Sequence, residues 1–199
     1  MLSLIKSHIS KSIDTKRALL DNEDLLQQIN QAVDLIILAY QSKHKTLIAG
    51  NGGSAADAQH IAGELVARFY FDRPGLSSMA LSTDTSVLTA IGNDYGFERL
   101  FSRQVEAHGN KGDVFIGLST SGNSPNILKA LEMCKEKGVK TIGLTGESGG
   151  KMADLCDICI KVPSAETPRI QESHILIGHI ICYLVEETLF GHLNPKSKV

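Results

Sequence analysis

The chain has 199 residues, 42% of them hydrophobic and 21% charged, with a net charge of −2, which is the make-up of an ordinary globular protein with one sizeable domain. The charge balance leaves no basic excess to hold nucleic acid, and 5% aromatics with no tryptophan leave no platform for stacked bases. The N-terminus carries no uninterrupted apolar stretch and no run of spanning length is free of charge, so a soluble, cytoplasmic protein without a signal peptide or membrane attachment is expected.

From about Leu4 to Tyr40 apolar residues recur at helical spacing (Leu25, Ile29, Val33, Ile36, Ile37), and Asp21-Asn22 divides the stretch into two helices. Residues 1–42 thus form a helical extension, used in packing or in oligomerisation. Five short strands are predicted after it, at Thr46–Ala49, Ser78–Leu81, Val114–Leu118, Thr141–Leu144 and Ile158–Val162. Helical segments fall between most of them, at about Ala55–Tyr70, Thr85–Ile91, Phe97–Ala107, Pro125–Lys137 and Gly150–Leu155. The alternation predicts an α/β fold, a doubly wound five-stranded parallel sheet covered on both faces, in one domain over residues 1–199. The last helix, about Arg169–Leu189, is apolar around most of its circumference, as expected of a helix buried partly by another subunit, yet it carries Gln171, Glu172, His174 and His179. The tail Asn194–Val199 is polar.

Two Ser/Gly-rich loops each follow a strand and open onto a helix: Gly50-Asn51-Gly52-Gly53-Ser54 and Ser119-Thr120-Ser121-Gly122-Asn123-Ser124. Free N–H groups and the dipole at a helix start favour anions, hydroxyls add donors, and glycine lets a ligand approach the backbone. Ligands of doubly wound sheets bind at the C-terminal strand ends, where both loops lie. In the second loop Ser124 suits the N-cap and Pro125 the first helical position, which leaves Ser119, Thr120 and Ser121 for a phosphorylated or heavily hydroxylated small molecule. Ser54 is the expected cap of the first.

His60 and Glu64 stand at i and i+4, one face of a helix, a spacing open to a divalent metal, to acid–base work, or to a solvated surface pair. Gln171 and His179 lie about 12 Å and about 80° apart on one helix, so spacing alone does not select them over His174. Asn93-Asp94 fits an Asx turn or a hydroxyl-binding pair. Arg68 is placed to pair with Glu64 or to reach an anion. Cys156 and Cys159 form a lone CxxC that enters a predicted strand and has no second pair; with Cys134 and Cys182 they are read as structural or buried thiols.

Ala49-Gly50-Asn51-Gly52-Gly53-Ser54, His60-x-x-x-Glu64, Ile91-Gly92-Asn93-Asp94, the loop Ser119–Ser124 and Arg169-Ile170-Gln171-Glu172-x-His174 together resemble the phosphoheptose (sedoheptulose 7-phosphate) isomerases, over nearly the whole chain. The serine loop alone marks only the broader sugar-isomerase (SIS) superfamily. The resemblance implies a flavodoxin-like SIS domain, a homotetramer with sites at subunit interfaces, and one zinc ion per subunit held by His60, Glu64, Gln171 and His179, with His174 not a ligand. It implies substrate contacts from Asn51, Gly52, Gly53, Ser54, Glu64, Asn93, Asp94, Ser119, Thr120, Ser121, Ser124 and Gln171, and an aldose–ketose isomerase in which Glu64 and His179 are the acid–base residues. Some members carry an acidic residue where this chain has Pro168, so that position is given no catalytic duty. Two other readings stand beside it: a non-catalytic sugar-phosphate-binding SIS protein acting in replication initiation, and an isomerase of another phosphosugar.

Overall fold

A computed structural model describes residues 1–198. Five strands, β1 (Thr46–Gly50), β2 (Ser78–Ala80), β3 (Val114–Leu118), β4 (Lys140–Thr145) and β5 (Ile158–Lys161), pair in the order β2-β1-β3-β4-β5, every pairing parallel. Among the described residues eight α-helices accompany them: α1 (Leu2–Leu20), α2 (Glu23–Gln41), α3 (Gly53–Val66), α4 (Thr85–Tyr95), α5 (Leu100–His108), α6 (Pro125–Lys137), α7 (Met152–Leu155) and α8 (Thr167–Phe190).

Period-two alternation within continuously apolar strands explains the two-sided sheet. Ile48, Ile116, Leu118, Ile142, Leu144 and Ile160 point into a core shared with α2, α3 and α8. Leu47, Ala49 and Phe115 point the other way, into a core completed by Phe101, Ile127, Leu131 and Met152. Two carboxylates pin the N-terminal strand ends together. Asp113 accepts from the Lys45 N–H (3.1 Å) and ammonium (2.6 Å), joining β1 to β3. Asp157 accepts from the Thr141 N–H (2.8 Å) and the Lys140 ammonium (3.0 Å), joining β4 to β5. The N-terminal pair divides where expected: α1 ends at Leu20, and the Asn22 side chain caps α2 by accepting from the Leu25 N–H at 3.0 Å.

Several boundaries move. The helix expected from Ala55 to Tyr70 begins at Gly53 and stops at Val66. Its stop has a specific cause. The N–H groups of Phe69 and Tyr70 donate to the fully buried Glu186 carboxylate of α8 (2.7 and 2.6 Å) instead of continuing the helix. Arg73 bonds that carboxylate through Nε (3.0 Å) and turns its other nitrogens onto the Glu64 and Leu65 carbonyls, taking the place of the missing turn. The segment predicted at Gly150–Leu155 is helical only from Met152. The one predicted at Phe97–Ala107 is a 3-10 turn (Phe97–Arg99) leading into α5. Pro168 takes an early position of α8, after the N-cap Glu166. By length and composition α8 could cross a membrane, but here it packs against α2 and α3. Within the polar tail Pro195–Lys198 forms a 3-10 turn, and Val199 lies outside the described residues.

Two buried groups contribute to the acid response. Burial pushes His174 from 6.5 down to about 4, opposed by its bond to the Thr145 carbonyl (3.1 Å). Burial also opposes ionisation of Glu186, but the backbone N–H groups and Arg73 outweigh it and hold the carboxyl below its ordinary 4.5. His174 therefore favours the folded chain fully above 6.5, and that contribution is lost as pH falls towards 4; the Glu186 contribution is present above 4.5 and is lost at still lower pH. Denaturant titrations should show stability declining through this window. Glu186→Ala, which strands Arg73 and the N–H groups of Phe69, Tyr70 and Phe71, should cost about 3–5 kcal/mol at neutral pH.

Candidate active site

The two hydroxyl loops meet at the C-terminal edge of β1 and β3, where the register sets Gly50 beside Leu118. Their join is a reciprocal amide pair: Asn51 Nδ2 donates to Asn126 Oδ1 (2.9 Å) and Asn126 Nδ2 donates to Asn51 Oδ1 (2.8 Å). In the first loop the cap is Gly52, not Ser54. The chain turns into α3 early because Gly52 takes φ +55, and Ser54 is buried in the first turn, its N–H bonded to the Asn51 carbonyl (3.0 Å).

In the second loop Ser124 is the N-cap of α6 and Pro125 follows it, as expected. The Ser124 hydroxyl does not cap the helix; it bonds the buried Ser119 hydroxyl at 2.8 Å, with Ser121 Oγ 3.5 Å from Ser119. The Ile127 N–H bonds the Ser124 carbonyl instead (3.0 Å), which leaves the Asn126 N–H at the helix start without a side-chain cap. Gly122 at φ +65 lies against the Gly149-Gly150 backbone, where a side chain would collide with the Gly149 carbonyl. Ser121 is exposed, Thr120 half-buried, and Asn123 ties the rim to Lys151 by accepting its N–H at 3.0 Å.

Helices α3 and α8 bring the candidate acid–base residues together. His60 Nε2 stands 3.1 Å from Glu64 Oε1 and 3.2 Å from His179 Nε2, and one donor atom from each of the three lies within 4.8 Å of the others. The approach depends on Gly178: a methyl group there would come within 2.6 Å of the Ile61 side chain. Gly178 and Ile61 are the sequence neighbours of His179 and His60, so the close helix contact is what lets the two imidazoles meet. The Phe69 ring, 5.6 Å from the His179 ring between centroids, covers one flank.

This donor set fits a divalent ion. Two imidazole nitrogens and a carboxylate are the protein ligands of many zinc sites, and two Nε2 atoms at 3.2 Å leave at most one hydrogen bond between rings that each hold one proton. Gln171 sits two turns earlier on α8, with its amide over Gly53 at the mouth of the first loop; a methyl on Gly53 would be 2.7 Å from Gln171 Nε2. Gln171 thus marks the end of the α3/α8 seam nearest the hydroxyl loops. His174 is fully buried on the core side of α8, away from the other two histidines.

Other expectations resolve differently. Asn93 and Asp94 form no Asx turn; α4 runs on to Tyr95 and stops at Gly96 (φ +85), leaving the pair exposed in its last turn and bonded to each other at 2.8 Å. Arg68 makes no ion pair with Glu64. It lies beyond the end of α3 and lines a 730 Å³ cleft with Tyr70, Phe71, Asp72 and Tyr183. Asp57 was missed. It sits one turn before His60 on α3 with Oδ2 buried and unpartnered, and burial raises its pKa against the pull of His60. Its i, i+3 spacing to His60 was the available signal.

Known proteins carry the same plan. Residues 12–146 match the SIS domain family model. A phosphoheptose isomerase of Aneurinibacillus thermoaerophilus is 70% identical, with 96% of each chain covered. Phosphoheptose isomerase 2 of Campylobacter jejuni is 68% identical over 95% of this chain and 94% of its own. Among solved structures, phosphoheptose isomerases from Neisseria gonorrhoeae (42% identity, TM-score 0.88) and Francisella tularensis (38%, 0.90) each cover 94% of this chain, which in turn covers 98% of theirs.

The Gly178 contact is testable. Gly178→Ala forces Ile61 aside and parts α3 from α8, so turnover should fall at least tenfold while circular dichroism at 25 °C stays native. Joint substitution with Ile61→Val, which gives the space back, should recover much of the loss.

Proposed function

From the premise that this chain belongs to the phosphoheptose isomerases of the SIS-domain family, we propose how its residues divide the work of converting sedoheptulose 7-phosphate to D-glycero-D-manno-heptose 7-phosphate. The observation that carries the reading is the meeting of His60, Glu64 and His179 on the seam that ends, at Gln171 and Gly53, beside the two hydroxyl loops. His60 lies about two turns of α3 beyond Gly53, roughly 10 Å of rise. A seven-carbon chain with bonds of about 1.5 Å covers that gap with its phosphate at one end and its carbonyl at the other.

The phosphate sits at the start of α6, among the hydroxyls of Ser119, Thr120, Ser121 and Ser124, and fixes the carbonyl end by fixing the far end. Asn51, Gly52, Gly53, Ser54 and Gln171 line the path of the sugar, and Asn93 and Asp94 are further contacts for it. Glu64 takes the proton from C1 of the ketose and returns it to C2 of the cis-enediol. His179 moves the accompanying proton between the two oxygens. Zinc held by His60, Glu64 and His179 would supply Lewis-acid polarisation of the carbonyl, while the Gln171 amide expected as a fourth ligand lies over Gly53, along the sugar path and apart from this cluster.

The site is open in the single chain, with His60 exposed. Exposed Leu4, Ile5, Ile9 and Ile13 on α1 and Tyr70 and Tyr183 near the seam offer apolar cover to neighbouring subunits. We therefore read 1–199 as one SIS domain whose residues 1–42 help build a homotetramer in the cytoplasm, supplying the first step towards nucleotide-activated heptose for surface lipopolysaccharide.

An NMR assay on sedoheptulose 7-phosphate tests the assignment. Glu64→Gln should lower kcat by roughly 10²–10⁴-fold with sugar-phosphate binding retained by calorimetry; undiminished turnover would remove Glu64 as the base. Ser121→Ala should raise KM with little change in kcat. Dialysis against a chelator should lower turnover, with recovery on added zinc and a matching one-per-chain stoichiometry by elemental analysis; full activity in metal-free protein would discard the zinc role and spare the isomerase.

A further inference from the structure

Cys156 and Cys159 are the nucleophilic pair that the isomerase chemistry leaves unused. Cys134 and Cys182 are buried, as expected of structural thiols, whereas Cys156 and Cys159 are only partly covered. Cys156 follows the short helix α7, and Cys159 lies in β5, the edge strand of the sheet, paired with Gly143 of β4. Both sulfurs converge on Gly143. A methyl group at that position would lie 2.7 Å from Cys156 Sγ and 3.6 Å from Cys159 Sγ, so the missing side chain is the space in which the two thiols meet. Access exists on the Cys156 side, which lines a 300 Å³ surface groove with Lys135, Lys140 and Asp157.

We propose that Cys156 and Cys159 form a reversible intrachain disulfide when the protein meets a hydroperoxide, with Cys159 as the attacking thiol and Cys156 as the resolving one. The roles follow from their surroundings. Cys159 has the Cys156 thiol as a hydrogen-bond donor, Thr145 Oγ1 at 3.8 Å and the Lys161 charge nearby, and its thiol is brought down to about 7. Cys156 shifts upward, through the same thiol pair and through burial. Thiolate fraction governs attack on peroxide.

The steps balance. The Cys159 thiolate attacks one peroxide oxygen; a sulfur–oxygen bond forms, the oxygen–oxygen bond breaks, and hydroxide leaves and is protonated. Cys156 sulfur then displaces the hydroxyl of the resulting sulfenic acid, a sulfur–sulfur bond forms, and the departing hydroxide takes up the proton lost by Cys156 and leaves as water. Two thiols are oxidised by two electrons, and hydrogen peroxide is reduced to two waters. A dithiol reductant reverses the reaction.

The experiment uses the full-length protein, reduced and then exposed to stoichiometric hydrogen peroxide, alkylated and digested with trypsin. Both cysteines fall in one peptide, Met152–Lys161. That peptide should lose two hydrogens and resist alkylation until dithiothreitol is added, reacting roughly tenfold or more faster than Cys134 or Cys182. Cys156→Ser should leave a sulfenic acid on Cys159 that dimedone traps; Cys159→Ser should slow oxidation of the peptide to the rate of the buried thiols. Oxidation spread evenly over all four cysteines, a disulfide between chains on a non-reducing gel, or dimedone labelling of Cys156 in the Cys159→Ser protein at the original rate would each overturn the proposal.

Discussion

The approach of α3 to α8 is the constraint on which the site depends. Chemistry-bearing residues on two different helices must meet, and side chains hold helix axes about 8–10 Å apart unless one face is cut back. Here the cut is Gly178, into which Ile61 inserts. His60 and His179 sit next to that contact and are carried to 3.2 Å. A glycine inside a helix is unfavourable by roughly 1 kcal/mol relative to alanine, and the remaining length of α8, with its buried Ile177, Ile181 and Val185, offsets that cost. Sheet, loops and helix ends then serve to hold the seam in register.

Its far end is fixed electrostatically. Glu186 lies two turns beyond His179 on α8 and gathers the backbone of Phe69 and Tyr70 together with Arg73, while Arg73 closes the last carbonyls of α3. One buried ion pair thus terminates α3, orders the segment after it and seats Phe69 against the His179 ring. Such a pair adds little net stability compared with an apolar replacement; its value here is positional, since it sets where α3 stops relative to α8.

Much of this was legible in the residues, and the misses have physical reasons. The strands stood out because Val114–Leu118 and Thr141–Leu144 are apolar on both faces, a pattern that only a sheet covered on both sides requires. The two loops stood out because hydroxyls and glycines cluster after strands. What failed was local propensity wherever a distant partner intervened. Ala55 to Tyr70 has no helix breaker of its own in its last turn, and only Glu186, more than a hundred residues away in sequence, ends it. Ser54 is a better intrinsic cap than Gly52, but the left-handed turn at Gly52 starts the helix before Ser54 is reached. Gln171 and His179 could not be chosen over His174 by spacing, because which side of α8 faces the sheet is a property of the packed chain. Asp57, half-buried beside the site, had only a weak i, i+3 signal.

The clasp between Asn51 and Asn126 bears on how a sugar enters. Two carboxamides bonded to each other weld the rims of neighbouring strands into one unit before anything arrives. The incoming molecule therefore meets a mould already set, and little disorder is left to freeze out on capture. The same weld commits one N–H and one lone pair of the Asn51 amide, so what it offers an arriving molecule is its main chain and the one donor and one acceptor left over.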